Sequence, residues 1–234
     1  MIKTLLKDSV FHVQYWYMKE LIRAKKLKKP LANLLKYYVP YMKSNMDYSK
    51  TPLIAGVPWI TFEAIDFLKG IVKPEMKVFE YGSGGSTKFF AERVAEIHSV
   101  EHDELWYNMV KTKLVDCPNL HLNLMKGEEK PFDEVGFISD EDDDPLDYRG
   151  YSGTILDFED QYFDMVLVDG KARNGCILNS VDKLKKGGFL IVDNSNRKSY
   201  STSIDKLDSW LFLQSFGPSV NSKRFTQTSF FKKP

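Results

Sequence analysis

The run Glu80-Tyr81-Gly82-Ser83-Gly84-Gly85-Ser86-Thr87 places an acid, three glycines and three small hydroxyls within eight residues. Glycine lets a backbone turn sharply and lie against a ligand, and Ser86 and Thr87 can offer hydroxyls to free N–H groups at a helix start. Glu101, followed by His102, stands about 20 residues further on, the spacing at which an acid accepts from both hydroxyls of a ribose. This pattern predicts a nucleoside-bearing cofactor, with Glu80, Tyr81, Gly82, Ser83, Gly84, Ser86, Thr87, Glu101 and His102 as the candidate binding set. A dinucleotide asks for a third glycine where Thr87 stands. Glu80 at the mouth of the loop also favours a cationic ligand over a diphosphate.

A second group lies downstream, in Val168-Asp169-Gly170-Lys171-Ala172-Arg173 and in Asp193-Asn194. Asp169, Lys171 and Arg173 are the candidate catalytic residues, with Arg197 near them. A lysine acts as a base only when burial or a nearby cation depresses its pKa, whereas the planar guanidinium of Arg173 suits an anion or carboxylate clamp. His12, His98, His102 and His121 show no ligand spacing, and only His102, beside Glu101, is placed to border a nucleoside. Trp59, Tyr148 and Tyr151 are candidates to cover a ligand, with packing in the core as the alternative.

Elements that could hold these groups follow from periodicity. Short β-rich runs at 77–81, 97–101, 120–125, 163–168 and 189–192 are each too short for a buried helix, and helical spacing fills the gaps, as at Ile177, Leu178, Val181 and Leu184. Ile204, Leu207, Trp210 and Leu211 read as another helix. A turn at Gly217-Pro218 before the β-prone run 226–231 suggests a closing strand pair. Strand alternating with helix predicts an α/β, doubly wound, Rossmann-like sheet with helices on both faces, and puts both groups at the carboxyl ends of strands.

The segments Glu80–Thr87, Ser99-Val100-Glu101-His102-Asp103 and Val168-Asp169-Gly170 resemble the class I S-adenosylmethionine-dependent methyltransferases. Within them the chain is similar to methyltransferase-like proteins carrying the same glycine loop and a Val-Asp-Gly-x-x-Arg segment. The resemblance covers roughly residues 55–234. It implies a mostly parallel seven-stranded sheet with an antiparallel last strand, S-adenosylmethionine as cofactor, and methyl transfer, here expected to reach an oxygen of a small-molecule or glycan-like acceptor. Asp169 with Asp193-Asn194 also resembles the Mg²⁺ ligand set of the catechol and caffeoyl-coenzyme A O-methyltransferases, although Gly170 and the position of Lys171 depart from that pattern. In the structural alternative Asp169 bonds loop amides and Asn194 caps a turn. Two other functions stay open at this point: a binding module without turnover, and a nicotinamide-dependent oxidoreductase.

With 234 residues and 43% hydrophobic content, the chain can bury a full core. Residues 55–234 are expected to form the cofactor-binding domain, with an acidic insertion at 127–160. Residues 1–54 are expected to form a basic helical extension broken at Pro30 and Pro40. The net charge of +1 hides this asymmetry: residues 1–50 hold eleven Lys/Arg against Asp8, Glu20 and Asp47, while residues 127–164 hold fourteen Asp/Glu against Lys130 and Arg149. No nucleic-acid motif accompanies the basic segment; a membrane surface or another subunit is a candidate contact, with a simply solvated face as the commoner alternative. No apolar run approaches the roughly 20 residues of a membrane span. Cys117 and Cys176 lack metal-ligand spacing, so the expected address is cytoplasmic.

Overall fold

Along the second half of the chain, apolar side chains alternate between two cores, as period-2 strands require. Phe79, Tyr81, Val166, Val168, Leu190 and Val192 fill one core; Val78, Met165, Leu167 and Ile191 fill the other. The computed structural model, which describes residues 9–47, 51–129 and 146–234, arranges these runs as β1 (Lys77–Tyr81), β2 (Glu96–Glu101), β3 (Leu120–Leu124), β4 (Phe163–Val168), β5 (Leu184–Asp193), β6 (Leu211–Gly217) and β7 (Thr226–Lys232). They form one sheet of order β3-β2-β1-β4-β5-β7-β6. Strands β1 to β5 are parallel, and β7 is antiparallel to both β5 and β6. The sheet is therefore mixed, closed by an antiparallel hairpin.

Helices α1 (Val10–Lys26), α2 (Leu31–Lys36), α3 (Tyr38–Met46), α4 (Pro52–Ala55) and α5 (Phe62–Ile71) precede β1; α6 (Gly85–Ala91), α7 (Glu104–Lys113), α8 (Arg149–Gly153), α9 (Arg173–Lys183) and α10 (Ser201–Ile204) link the strands. Residues of α5 and α6 pack in the second core, while α8 and α9 pack in the first. Because β1 continues to β2 on one side and borders β4 on the other, the order reverses between β1 and β4, the place at the carboxyl ends where open α/β sheets bind ligands in a crevice.

Three local expectations change. Leu184 begins β5 rather than ending a helix, and Leu211 begins β6. Ile204, Leu207 and Trp210 recur every three residues, the period of the 3₁₀ turn Asp205–Trp210. Pro40 does not break a helix; it sits in the first turn of α3, where its missing N–H is not needed.

The N-terminal helices are docked on the sheet. Val13, Tyr17, Ala24, Leu34 and Tyr41 share a cluster with Phe216 and Phe225 of the hairpin region. The buried Glu20 carboxylate accepts from Phe225 N at 3.0 Å, and Arg23 donates to Phe225 O at 2.6 Å. Glu128 and Asp147 exchange backbone hydrogen bonds of 2.8 and 3.0 Å across the base of the acidic insertion; its densest run, Asp140–Asp144, lies outside the described residues.

Candidate cofactor and acceptor site

Gly82 ends β1 with φ +88°, a left-handed conformation, and a Cβ there would lie 2.9 Å from Asp169 O. Only glycine meets both conditions without strain. Its N–H donates to Val100 O at 2.9 Å, and Asp169 N donates to Tyr81 O at 3.0 Å, so the loops after β1 and β4 are fixed against each other at the reversal point.

On the β1–β2 side the loop is braced by two buried acids. Glu101 Oε2 accepts from Ser83 N (2.9 Å) and Ser83 Oγ (2.8 Å), while Oε1 accepts from His102 N (2.8 Å) and Asp103 N (3.0 Å). His102 Nδ1 lies 2.9 Å from the same Oε1. Burial alone would raise the Glu101 pKa, yet the hydrogen bonds outweigh it and hold the group below the ordinary carboxylate value. Glu80 is completely buried and takes hydroxyl donors on Oε2 from Thr87 (2.5 Å) and Ser99 (2.7 Å). Burial pushes its pKa up to about 7, with the Ser86, Thr87 and Ser99 hydroxyls opposing the rise. Thr87 Oγ1 accepts from Gly84 N at 2.8 Å, so Glu80 and Thr87 set the shape of the loop from beneath.

Tyr81 is placed elsewhere: its ring lies in the first core against Phe79 and Tyr151, with its hydroxyl bonded to Ser152 O at 2.7 Å. Tyr148 and Tyr151 are also core residues, whereas Trp59 is exposed. Glu80 Oε1 and Tyr151 Oη are among five side-chain polar atoms buried without a hydrogen-bond partner among the described residues. Tyr151 Oη closes directly over Gly170, where no side chain would fit. Buried polar atoms are normally paired, so unpaired ones beside a glycine crevice fit a polar ligand.

The β4–β5 side is organised by Arg173 at the start of α9. Its guanidinium donates to Gly170 O (2.9 Å), Asp193 O (2.5 Å), Asp169 O (3.2 Å) and Asp169 Oδ1 (2.9 Å). Asp193 Oδ1 accepts from Thr228 of β7 at 2.7 Å and Oδ2 from Asn194 Nδ2 at 2.5 Å. Burial, reinforced by Asp193 and opposed by Arg173, raises the Asp169 pKa to about 8, and burial raises Asp193 as well. Two acids thus share one guanidinium. Ala172 (φ 44°) and Asn194 (φ 53°) adopt left-handed backbone conformations in these two loops, a strain that tends to gather at functional sites. Lys171 is half-buried beside them, and Arg197 donates to Tyr200 Oη at 3.1 Å.

This arrangement does not fit Mg²⁺ on Asp169, Asp193 and Asn194. The guanidinium already supplies the positive charge between the two acids, and a second cation there would be repelled. Among the described residues, the His, Cys, Asp and Glu groups whose ligand atoms converge are Glu96, His98 and His121. Glu96 in that trio is already engaged by His98, Tyr162 and Lys77.

The sequence reading missed Trp106. It stands in the first turn of α7, capped by Asp103, and its Nε1 donates to Ser83 O at 2.7 Å. Asp103 directly after the Glu101 strand end was the available signal, since a helix capped there turns its first residues toward the loop. Ser99 and Thr228, which bond the two acids from neighbouring strands, carried no local signal.

The architecture has known counterparts. An rRNA methylase from Streptococcus thermophilus superposes with TM-score 0.51 at 16% identity, covering 80% of this chain and all of that one. A candidate methyltransferase from Streptococcus mutans in complex with SAH gives TM-score 0.50 at 14% identity, with 71% and 94% covered. The chain has a methyltransferase fold. TrmN from Thermus thermophilus matches with TM-score 0.50 at 11% identity over 83% of this chain and 52% of its own. No family model and no curated protein matches the sequence.

Proposed function

We propose that this chain is an S-adenosylmethionine-dependent methyltransferase acting on an oxygen of a small-molecule or glycan-like acceptor. The observation that carries the reading is Glu101: a buried, ionised carboxylate fixed by backbone donors at the end of β2, beside the Gly82 turn at the reversal point. Glu101 would hold the ribose hydroxyls, Gly82 and Gly84 the amino-acid part, and Glu80 and Thr87 would keep the loop in shape. When bound, the cofactor supplies an electrophilic methyl group for in-line transfer. The bound form of the Streptococcus mutans neighbour, SAH, is consistent with this cofactor.

Across the β1–β4 reversal point, the Asp169 pKa is raised to about 8, near the pH of the surroundings, and its ionised form would take the proton of a hydroxyl. Arg173 keeps Asp169 oriented and adjusts its charge. The same Arg173 contact also favours a second reading, a cofactor-binding module without turnover, because it engages the acid that would act as base.

Calorimetry with SAH and a panel of hydroxyl and amine acceptors tests both readings. Glu101→Ala is expected to weaken SAH binding by about a hundredfold, the scale of losing charge-assisted hydrogen bonds; unchanged affinity would remove the ribose assignment. SAH production from hydroxyl acceptors, abolished in Asp169→Asn, is expected of the enzyme. Tight binding with no product from any acceptor would favour the module.

A further inference from the structure

Helix α1 is apolar on two opposite faces. One face packs Val13, Tyr17 and Ala24 against the hairpin region. On the other, Phe11, Tyr15, Met18 and Ile22 follow at steps of four, three and four residues, so they form one row along the helix. These four side chains are between 51% and 77% exposed. Isolated exposed apolar residues are ordinary, but an aligned row opposite a packed face is not accounted for by the fold.

The charge around the row indicates its occupant. At about 3.6 residues per turn, Lys19 and Lys26 flank it on one side and Lys25 on the other. Lys19 Nζ lies 4.6 Å from the ring centroid of Trp16, an amphipathic pair of the kind that favours a water–lipid boundary. Residues 9–47 hold eight Lys/Arg against Glu20 and Asp47, and Glu20 is buried and paired with Arg23. A second copy docking on the same row would bring two such basic segments together, whereas an anionic surface neutralises them. Helix α1 has 17 residues, and among the described residues no helix is long and apolar enough to cross a bilayer.

We propose that α1 rests on an anionic lipid surface, with Phe11, Tyr15, Met18 and Ile22 in the headgroup–acyl boundary and the flanking lysines on the phosphates. The row lies outside the cofactor crevice, so this binding stands independently of the catalytic reading.

Co-sedimentation of the full chain with vesicles tests it. The protein is expected to sediment with mixed phosphatidylglycerol–phosphatidylcholine vesicles, to bind pure phosphatidylcholine far less, and to be released as added salt screens the lysines. F11S/I22S is expected to weaken partitioning by about tenfold or more, because it removes apolar area that enters the lipid. K19Q/K25Q/K26Q should weaken binding to the anionic vesicles alone. All these positions are exposed, so unchanged melting curves would show that both variants fold. Failure of the parent to sediment with anionic vesicles, equal binding of F11S/I22S, or self-association in analytical ultracentrifugation that F11S/I22S abolishes would each overturn the proposal.

Discussion

The two sides of the crevice hold their acids in different ways. On the β1–β2 side, Glu101 is held below the ordinary carboxylate pKa, against its burial, by the His102 side chain and then by the Asp103 and Ser83 donors. On the β4–β5 side, Asp169 and Asp193 lie beside one guanidinium, which bonds Asp169 directly while Thr228 and Asn194 bond Asp193, and burial pushes both acids toward the protonated form. Several convergent donors fix the charge of Glu101 in one protonation state, which would suit holding a cofactor. Two acids sharing one cation leave a proton loosely assigned, which suits chemistry at an acceptor.

The largest expected effect comes from removing the shared cation. Arg173→Met removes the positive charge beside two buried acids and the donor that Asp169 uses, and should cost about 3–5 kcal/mol above pH of about 8. The loss should shrink as pH falls and the acids take up protons. A pH-independent change in chemical-denaturation midpoint would mean that Arg173 serves through packing alone, and the contrast between the two sides would fail.

Glu80 sharpens the contrast from the other side. Its folded pKa, about 7, lies above the ordinary 4.5, so the folded chain binds this proton more tightly than the unfolded chain does. The stability it contributes is complete below pH of about 4.5 and lost as pH rises through about 7. Glu80→Gln should therefore match the parent in acid and exceed it above neutrality by about 3 kcal/mol. Parallel melting-temperature profiles for the two proteins would show that the three hydroxyls fully compensate the charge.

Trp106→Phe gives the smallest effect. It keeps the ring against the glycine loop and removes the bond to the Ser83 carbonyl, a loss of about 1 kcal/mol. It should appear as a modest drop in melting temperature and a few-fold weaker SAH binding. A loss as great as that of Glu101→Ala would move the weight of cofactor recognition from the acid to the indole.

Much of the fold was legible because strands buried on both faces are short, apolar and bounded by turns. The runs at 77–81 and 163–168 coincide with β1 and β4, and the positive φ of Gly82 follows from its place in the loop. What escaped depended on partners distant in sequence. Tyr81 sits beside Gly82 in the chain, but strand alternation turns it into the opposite core. Arg173 read as an anion or carboxylate clamp, and it does hold the Asp169 carboxylate, but the carbonyls it also binds come from the ends of two strands that only the sheet brings together. The Mg²⁺ expectation failed for the same reason: spacing reported the acids but not the guanidinium between them.

Strand β7 joins two parts of the molecule that otherwise share little. Near its start, Phe225 is gripped by Glu20 and Arg23 of the N-terminal helix. Three residues later, Thr228 holds Asp193 at the crevice. The strand is thus a short tie rod, with one end at the outer helix and the other at the Asp169–Asp193 pair. The hydrogen bonds at these two points place the outer helix and the Asp193 carboxylate within one strand's length of each other.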